Sequence, residues 1–174
     1  MDTNNHKDTL EAIRTVLAVR AFQDTPIPED VVREIVDAAR LTASSQNGQP
    51  WHFIVVQDRD TLRQLGALAP TGRYIAQAPL AIVVGMTPSR FGVSDASRAI
   101  QSMILAGWSR GVASNWVGFH GLDAVKPPLG IPDDVDVLAI VPFGYPTQAV
   151  GKGVKKRKPI GEVVSRERYG EPFA

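Results

Sequence analysis

Two uninterrupted apolar runs, PLAIVVGM at 79–86 and VLAIVPF at 137–143, constrain this chain more than any other feature of its sequence. Both are far short of the roughly 20 residues that a membrane-spanning helix needs, so no membrane partner is expected. Short, rich in β-branched residues and bounded by turn or polar residues, they read as strands. HFIVVQD at 52–58 reads as a further buried strand, entered through the turn-forming stretch SSQNGQPW. With 174 residues, 44% hydrophobic content and a formal net charge of +1, the chain lies in the range of one ordinary globular domain. A domain of this size buries about 70% of the surface of its unfolded form, enough for one core without staples. The absence of cysteine excludes a disulfide scaffold, iron–sulfur clusters, thiolate zinc sites and a thiol nucleophile. The N-terminal segment MDTNNHKDTLEAIRTVL is polar and contains acids, unlike a secretory signal, and a cytoplasmic protein is expected.

Helical periodicity accounts for much of the remainder. Residues 8–20 start at Asp8 and place Leu10, Ile13, Val16 and Leu17 on one face. Residues 28–42 direct Val31, Val32, Ile35, Val36 and Ala39 inward, behind a proline and two acids suited to a first turn. Asp60 is expected to cap a short helix, followed by the loop PTGRY with an ordinary exposed Arg73. From Ser94 to Arg110, with Ser94 or Asp95 as cap and Gly111 just beyond the end, the apolar positions Ala99, Ile100, Met103, Ile104, Gly107 and Trp108 recur at helical spacing. This pattern predicts a core or dimer-interface helix. A short third strand is expected within GVASNWVGFHG, a brief helix within LDAVKPPLGI and a fourth strand within VDVLAIVPFGYP.

Charge is unevenly distributed. Residues 148–174 hold seven Lys or Arg against three Glu, a surplus of four, whereas the first 147 residues carry a deficit of three. The tail has no helical stripe longer than IGEVV, so it is expected either to be disordered or to lie on another surface.

The commonest catalytic motifs are missing. His6, His52 and His120 show no metal-ligand spacing, and Asp133, Asp134 and Asp136 lack the pattern of a calcium loop. GWSRG at 107–111 matches GxSxG only on paper, because Ser109 falls in the last turn of a helix rather than on a strand-to-helix elbow. Neither a GxGxxG run nor a Walker A sequence is present, and GKGVKK matches neither. Three segments do suit binding. The first is the loop from Ser44 to Trp51, crowded with amides that offer a donor and an acceptor on one plane, although a plain turn is the simpler reading. The second is Arg20 after the first helix, where an arginine is more often a partner of the helix C-terminus. The third is the run Lys155-Lys156-Arg157-Lys158, able to bind phosphate or remain solvated; it is short for a nucleic-acid footprint and has no interleaved aromatics, so no nucleic-acid partner is expected.

In chain order, VRAFQDTPIP, ARLTASSQNGQPWHFIVV, QAPLAIVV, SDASRAIQSMILAGWSRGVASNW, PFGYP and KKRKPIGEVV resemble the flavin-dependent (FMN) nitroreductase family from about Thr9 to Tyr169. The resemblance implies an α+β fold with a central mixed or antiparallel sheet flanked by helices. It further implies an intertwined homodimer with FMN at each subunit interface, a core at 1–147 and an extension at 148–174 wrapping the partner. The implied activity is an NAD(P)H-dependent oxidoreductase, with NADH or NADPH as donor and a small-molecule acceptor, nitro-, quinone-like or otherwise conjugated, reduced by ping-pong hydride transfer through flavin N5. Carried over by position, Arg20 lies near the FMN phosphate, Lys155 and Arg157 are the tail's phosphate ligands, and Ser44, Asn47 and Gln49 lie along the flavin and its ribityl chain. Gly118, with Val117, falls where a backbone N–H faces N5. No catalytic side chain and no metal is implied, since the flavin carries the chemistry.

The chain departs from the family's Arg-Arg-Ser-x-Arg pattern, reading Val16-Leu17-Ala18-Val19-Arg20 instead. An Arg and a Ser that would hold the phosphate are therefore missing, and Arg14, between one and two helical turns before Arg20, is not expected to substitute. The departure leaves open FMN held more weakly, FMN held mainly through Arg20 and the tail, or a deazaflavin in its place. A non-catalytic flavin- or deazaflavin-binding protein of the same fold is the alternative reading.

Overall fold

The computed structural model describes residues 9–118, 121–150 and 155–173. His6, His120, Lys152 and the expected first cap, Asp8, lie outside the described residues. Helices α1 (Thr9–Thr15), α2 (Glu29–Arg40), α3 (Arg59–Leu68), α4 (Gly92–Ser109) and α5 (Lys126–Leu129) surround strands β1 (Trp51–Val56), β2 (Leu80–Met86), β3 (Ala113–Ser114), β4 (Val117–Gly118) and β5 (Asp136–Gly144). The order is β1-β2-β5-β3, with β4 also paired to β5, and every pairing is antiparallel. The architecture is the expected α+β one.

The apolar runs become β2, buried at every position, and β5, buried from Leu138 to Gly144. They are uniformly apolar because both sheet faces are covered. On one face Ile82, Val84, Val141 and Phe143 pack with Ile35 and Ala39 of α2 and Ile100 and Met103 of α4. On the other, Ala81, Val83 and Ile140 pack with Leu62 and Leu65 of α3 and with Ile75 and Val125. Gly107 of α4 lets this helix approach the sheet: a Cβ there would lie 3.2 Å from the Phe143 ring. Gly111, at φ +77°, ends the helix in the left-handed conformation that glycine adopts without strain.

Several expectations are corrected. The first helix stops at Thr15 rather than 20, because Val16–Arg20 is extended: Val19 N–H donates to Ser114 O at 2.9 Å, and Ala18 forms a parallel bridge to Ser114. A strand partner outcompetes helix continuation through a β-branched stretch. On α1 the buried residue is Ala12, while Leu10 and Ile13 of the expected inner face are 68% and 50% exposed. Strand β1 is a half-buried edge strand, since among the described residues it pairs with β2 alone. Helix α3 is capped by Asp58 rather than Asp60; its carboxylate accepts from Thr61 N–H at 2.8 Å and Thr61 Oγ1 at 2.7 Å. Neither Ser94 nor Asp95 caps α4, whose N-cap position is Phe91. The expected third strand is split into β3 and β4 around Asn115 and Trp116. Ser109 Oγ donates back to Ala106 O at 2.8 Å within α4, as befits the end of a helix and not a nucleophile elbow.

Candidate functional site

A cavity of about 1030 Å³ opens between α1, α4 and the β3–β4 connection. Lys155 and Arg157 of the tail line it, as do Arg14, the segment Thr15–Ala18, Gln101, Ser114, Asn115 and Trp116. A hydrogen bond fastens the tail there: Lys155 Nζ donates to Ile13 O at 2.7 Å, across 142 residues of chain. A carbonyl near the α1 C-terminus is a natural partner for an ammonium group, since helices leave their last carbonyls unsatisfied.

The wall is short of negative charge. Glu11 is the acid that lines it, against Arg14, Lys155 and Arg157. Burial pushes the Lys155 ammonium below its ordinary value, and the Arg157 guanidinium pushes it the same way. Like charges gathered on one wall are relieved by an anion, which gains charge-assisted hydrogen bonds in return.

The amide loop is built separately. Ser45–Asn47 forms a 3-10 turn in which Gln46 and Asn47 have φ of 55° and 56°, and Gln49 follows at 44°. Three non-glycine residues in the left-handed region cost on the order of 1–2 kcal/mol each, so the conformation must be held from outside. Asp95, 1% exposed on α4, supplies the hold: its carboxylate accepts from Ser45 N–H at 3.0 Å and from Ser45 Oγ at 3.1 Å, and also from Arg98. Burial raises the affinity of Asp95 for a proton, but these hydrogen bonds outweigh it and keep the carboxyl below the ordinary range. Ser44 Oγ accepts from Gln49 N–H at 2.9 Å, and Gln49 Nε2 donates to Asn47 O at 3.3 Å. The turn thus displays exposed Gln46, Asn47 and Gln49 on a fixed backbone.

The residues singled out from sequence therefore fall into separate groups. Lys155 and Arg157 share the cavity; Ser44, Asn47 and Gln49 share the loop, and none of the three lines that cavity. Arg20 does not line it either. It sits in extended chain with its guanidinium 5.9 Å from the Tyr74 ring centroid, and the Tyr74 hydroxyl accepts from Asn115 Nδ2, one residue removed from the cavity. Val117 and Gly118 form β4, where a Cβ on Gly118 would meet Leu138 O at 2.5 Å, so close backbone approach to β5 already requires glycine there. Sequence reasoning missed the placement of two residues. That of Asp95 was legible, because it lies four and eight residues before Ala99 and Met103 on the buried stripe. That of Arg14 was not, because it depends on where α1 ends.

Residues 14–71 and 69–145 match the family model described as Nitroreductase family. The chain belongs to the nitroreductase family. It is 35% identical over 153 residues, 83% of this chain and 80% of the relative, to a protein of Methanothermobacter thermautotrophicus provisionally named NADH dehydrogenase/NAD(P)H nitroreductase. A crystal structure of a Parabacteroides distasonis protein with the same provisional name superposes with a TM-score of 0.85 at 28% identity, covering 94% of this chain and 99% of that one. A nitroreductase, also provisionally named, of Desulfovibrio desulfuricans crystallised with FMN superposes with a TM-score of 0.81 at 25% identity, covering 94% and 98%. For a nitroreductase-family fold, a cationic cavity and an amide-bearing loop are the two kinds of surface that a phosphorylated heteroaromatic ligand needs. Among the described residues no group of His, Asp and Glu is arranged to hold a metal, and no helix is long and apolar enough to cross a membrane.

Proposed function

We propose that this chain is an NAD(P)H-dependent FMN oxidoreductase that reduces small conjugated acceptors such as nitroaromatics and quinones. The observation that carries the reading is the convergence of Lys155 and Arg157 on a cavity beside α1 that is short of negative charge. The donor set fits the group: two tail cations for a phosphate, and rigidly displayed amides of Asn47 and Gln49 for the edge of a flavin ring. Bound FMN supplies the hydride-accepting and hydride-donating chemistry, as it does in flavin enzymes generally. The chain's own residues bind and orient. Lys155 and Arg157 hold the dianion; Ser44, Asn47 and Gln49 aim donors and acceptors at the ring; Arg20, with Tyr74, keeps positive potential near Asn115. Donors aimed at a ring that gains negative charge on reduction favour the reduced form.

The site is completed by a second copy. In one protomer the cation-lined cavity excludes Ser44, Asn47 and Gln49, so a ligand that uses both surfaces draws them from two protomers. Residues 148–174 then form the extension that reaches onto the partner, beyond a core at 1–147. In support, every described residue of 155–173 except Lys155 and Val164 is exposed, among them Ile160, Val163, Tyr169 and Phe173. Apolar side chains left in water along a segment without its own core call for a covering surface.

Absorption spectroscopy of the purified protein tests the reading. A flavin band that NADH or NADPH bleaches anaerobically, and that a nitroaromatic or quinone restores, is the expected result. Protein that stays colourless after incubation with FMN overturns it. Retained flavin that neither donor bleaches points instead to a non-catalytic flavin- or deazaflavin-binding protein, the reading favoured by Val16 and Ala18 standing where the family carries Arg and Ser. Sedimentation equilibrium at the dimer mass is expected; a monomer at micromolar concentration contradicts the shared site.

A further inference from the structure

We propose that Arg14 is the third cation of the phosphate end of this site, standing in for the Arg and Ser that are absent where Val16, Leu17 and Ala18 interrupt the family's Arg-Arg-Ser-x-Arg pattern. The assignment rests on the flavin reading and deepens it.

Helix α1 ends early. Val16 N–H makes a last helical bond to Ala12 O at 2.9 Å, after which the chain extends toward Ser114. Arg14 consequently stands in the last turn of a short helix, at the rim of the cavity that Lys155 and Arg157 also line. The carbonyl that accepts from Lys155 Nζ belongs to Ile13, the residue immediately before Arg14. Tail lysine and helix arginine are thus held within one residue of each other on the same wall.

The Arg14 side chain is available for a ligand. Its ion pair with Glu11 is long, at 3.8 Å, and the Arg14 side chain is 73% exposed, conditions under which such a pair contributes little. Thr15 is no substitute for the missing serine, because its hydroxyl donates to Glu11 O at 2.7 Å and accepts from Trp108 Nε1 at 2.8 Å. Arg20 is turned to the Tyr74 ring and does not line the cavity. Val16, Leu17 and Ala18 line it with apolar surface, which lowers the local dielectric and strengthens the pull of the remaining cations on an anion. A guanidinium also offers a planar pair of donors, the geometry that two phosphate oxygens accept together.

FMN and riboflavin share ring and ribityl chain and differ by the phosphate, so titrating apoprotein with each, by flavin fluorescence quenching, isolates the phosphate end. Arg14→Gln is expected to weaken FMN binding about ten- to a hundredfold while leaving riboflavin within about twofold. Arg14→Lys should recover part of that affinity, and Lys156→Ala, at an exposed residue outside the cavity wall, should alter neither. Arg14→Gln protein that retains wild-type FMN affinity, or that loses FMN and riboflavin equally, overturns the assignment. Wild-type protein that binds neither flavin overturns the flavin reading itself, and wild-type protein that binds both equally overturns the phosphate end as a whole.

Discussion

Asp95 and Ser45, fifty residues apart in the chain, are joined twice: the buried carboxylate accepts from the Ser45 backbone N–H at 3.0 Å and from its hydroxyl at 3.1 Å. Helix α4 thereby grips the start of a loop whose next two residues both have positive φ. Removing the charge on Asp95 should let that loop relax toward ordinary backbone conformations. Asp95→Asn is expected to weaken FMN and riboflavin alike, by about tenfold, since hydrogen bonds to a charged group are worth roughly 1.5–3 kcal/mol and part of that is lost. Equal affinities in mutant and wild type, measured by the same titration, would contradict a positioning role.

The tail residues should differ sharply in importance although they are adjacent. Lys155 bonds to Ile13 O and lines the cavity with Arg157, whereas Lys156 is exposed beside it. The double change Lys155→Ala with Arg157→Ala should abolish flavin retention through gel filtration, and Lys156→Ala should leave it intact. Equal retention in the two variants counts against the phosphate assignment.

Gly118 is under steric demand from β5. A methyl group there would lie 2.5 Å from Leu138 O and 2.9 Å from Ala139 Cα, both backbone atoms that cannot move aside cheaply. Gly118→Ala should cost about 1–3 kcal/mol. In thermal melts that corresponds to a fall of roughly 2–12 °C for a domain of this size. An unchanged melting temperature would show that β4 can shift.

Acid should destabilise the fold through its capping carboxylate. Thr61, by its hydroxyl and then its backbone N–H, holds the Asp58 carboxyl below its ordinary value of 3.8. The unfolded chain takes up this proton first as pH falls, so the stabilisation is complete well above pH 3.8 and is lost as pH drops through the lower folded-state value. Melting temperatures between about pH 6 and pH 3 should fall less steeply in Asp58→Asn than in wild type. Parallel acid limbs would contradict this.

Much of the architecture was readable residue by residue. The inward positions Val31, Val32, Ile35 and Ala39 of α2, the strands β2 and β5, and the absence of a core in the tail all follow from periodicity and composition. The family pieces pointed to Lys155 and Arg157, which the fold brings to one cavity wall, and to the loop at Ser44–Gln49, which it holds rigid. Other features escaped because they are decided between segments. Asp95 reads as a helix cap; its spacing to Ala99 and Met103 marks it as inward-facing, but only packing shows which loop its carboxylate holds. Arg14 and Arg20 fall on one continuous helix in the sequence pattern, with Arg20 the one expected near the phosphate, until Ala18 bridges to Ser114 and the helix ends at Thr15.

Side-chain spacing and turn chemistry, which act along a few residues of chain, are enough to mark α2, α4, β2 and β5, but not the end of α1 or the break between β3 and β4. The tertiary structure decided which arginine reaches the cavity, which acid holds the loop and which strand lies at the edge. These are outcomes of competition among distant groups for the same hydrogen bonds and the same buried space, and no local pattern encodes the winner.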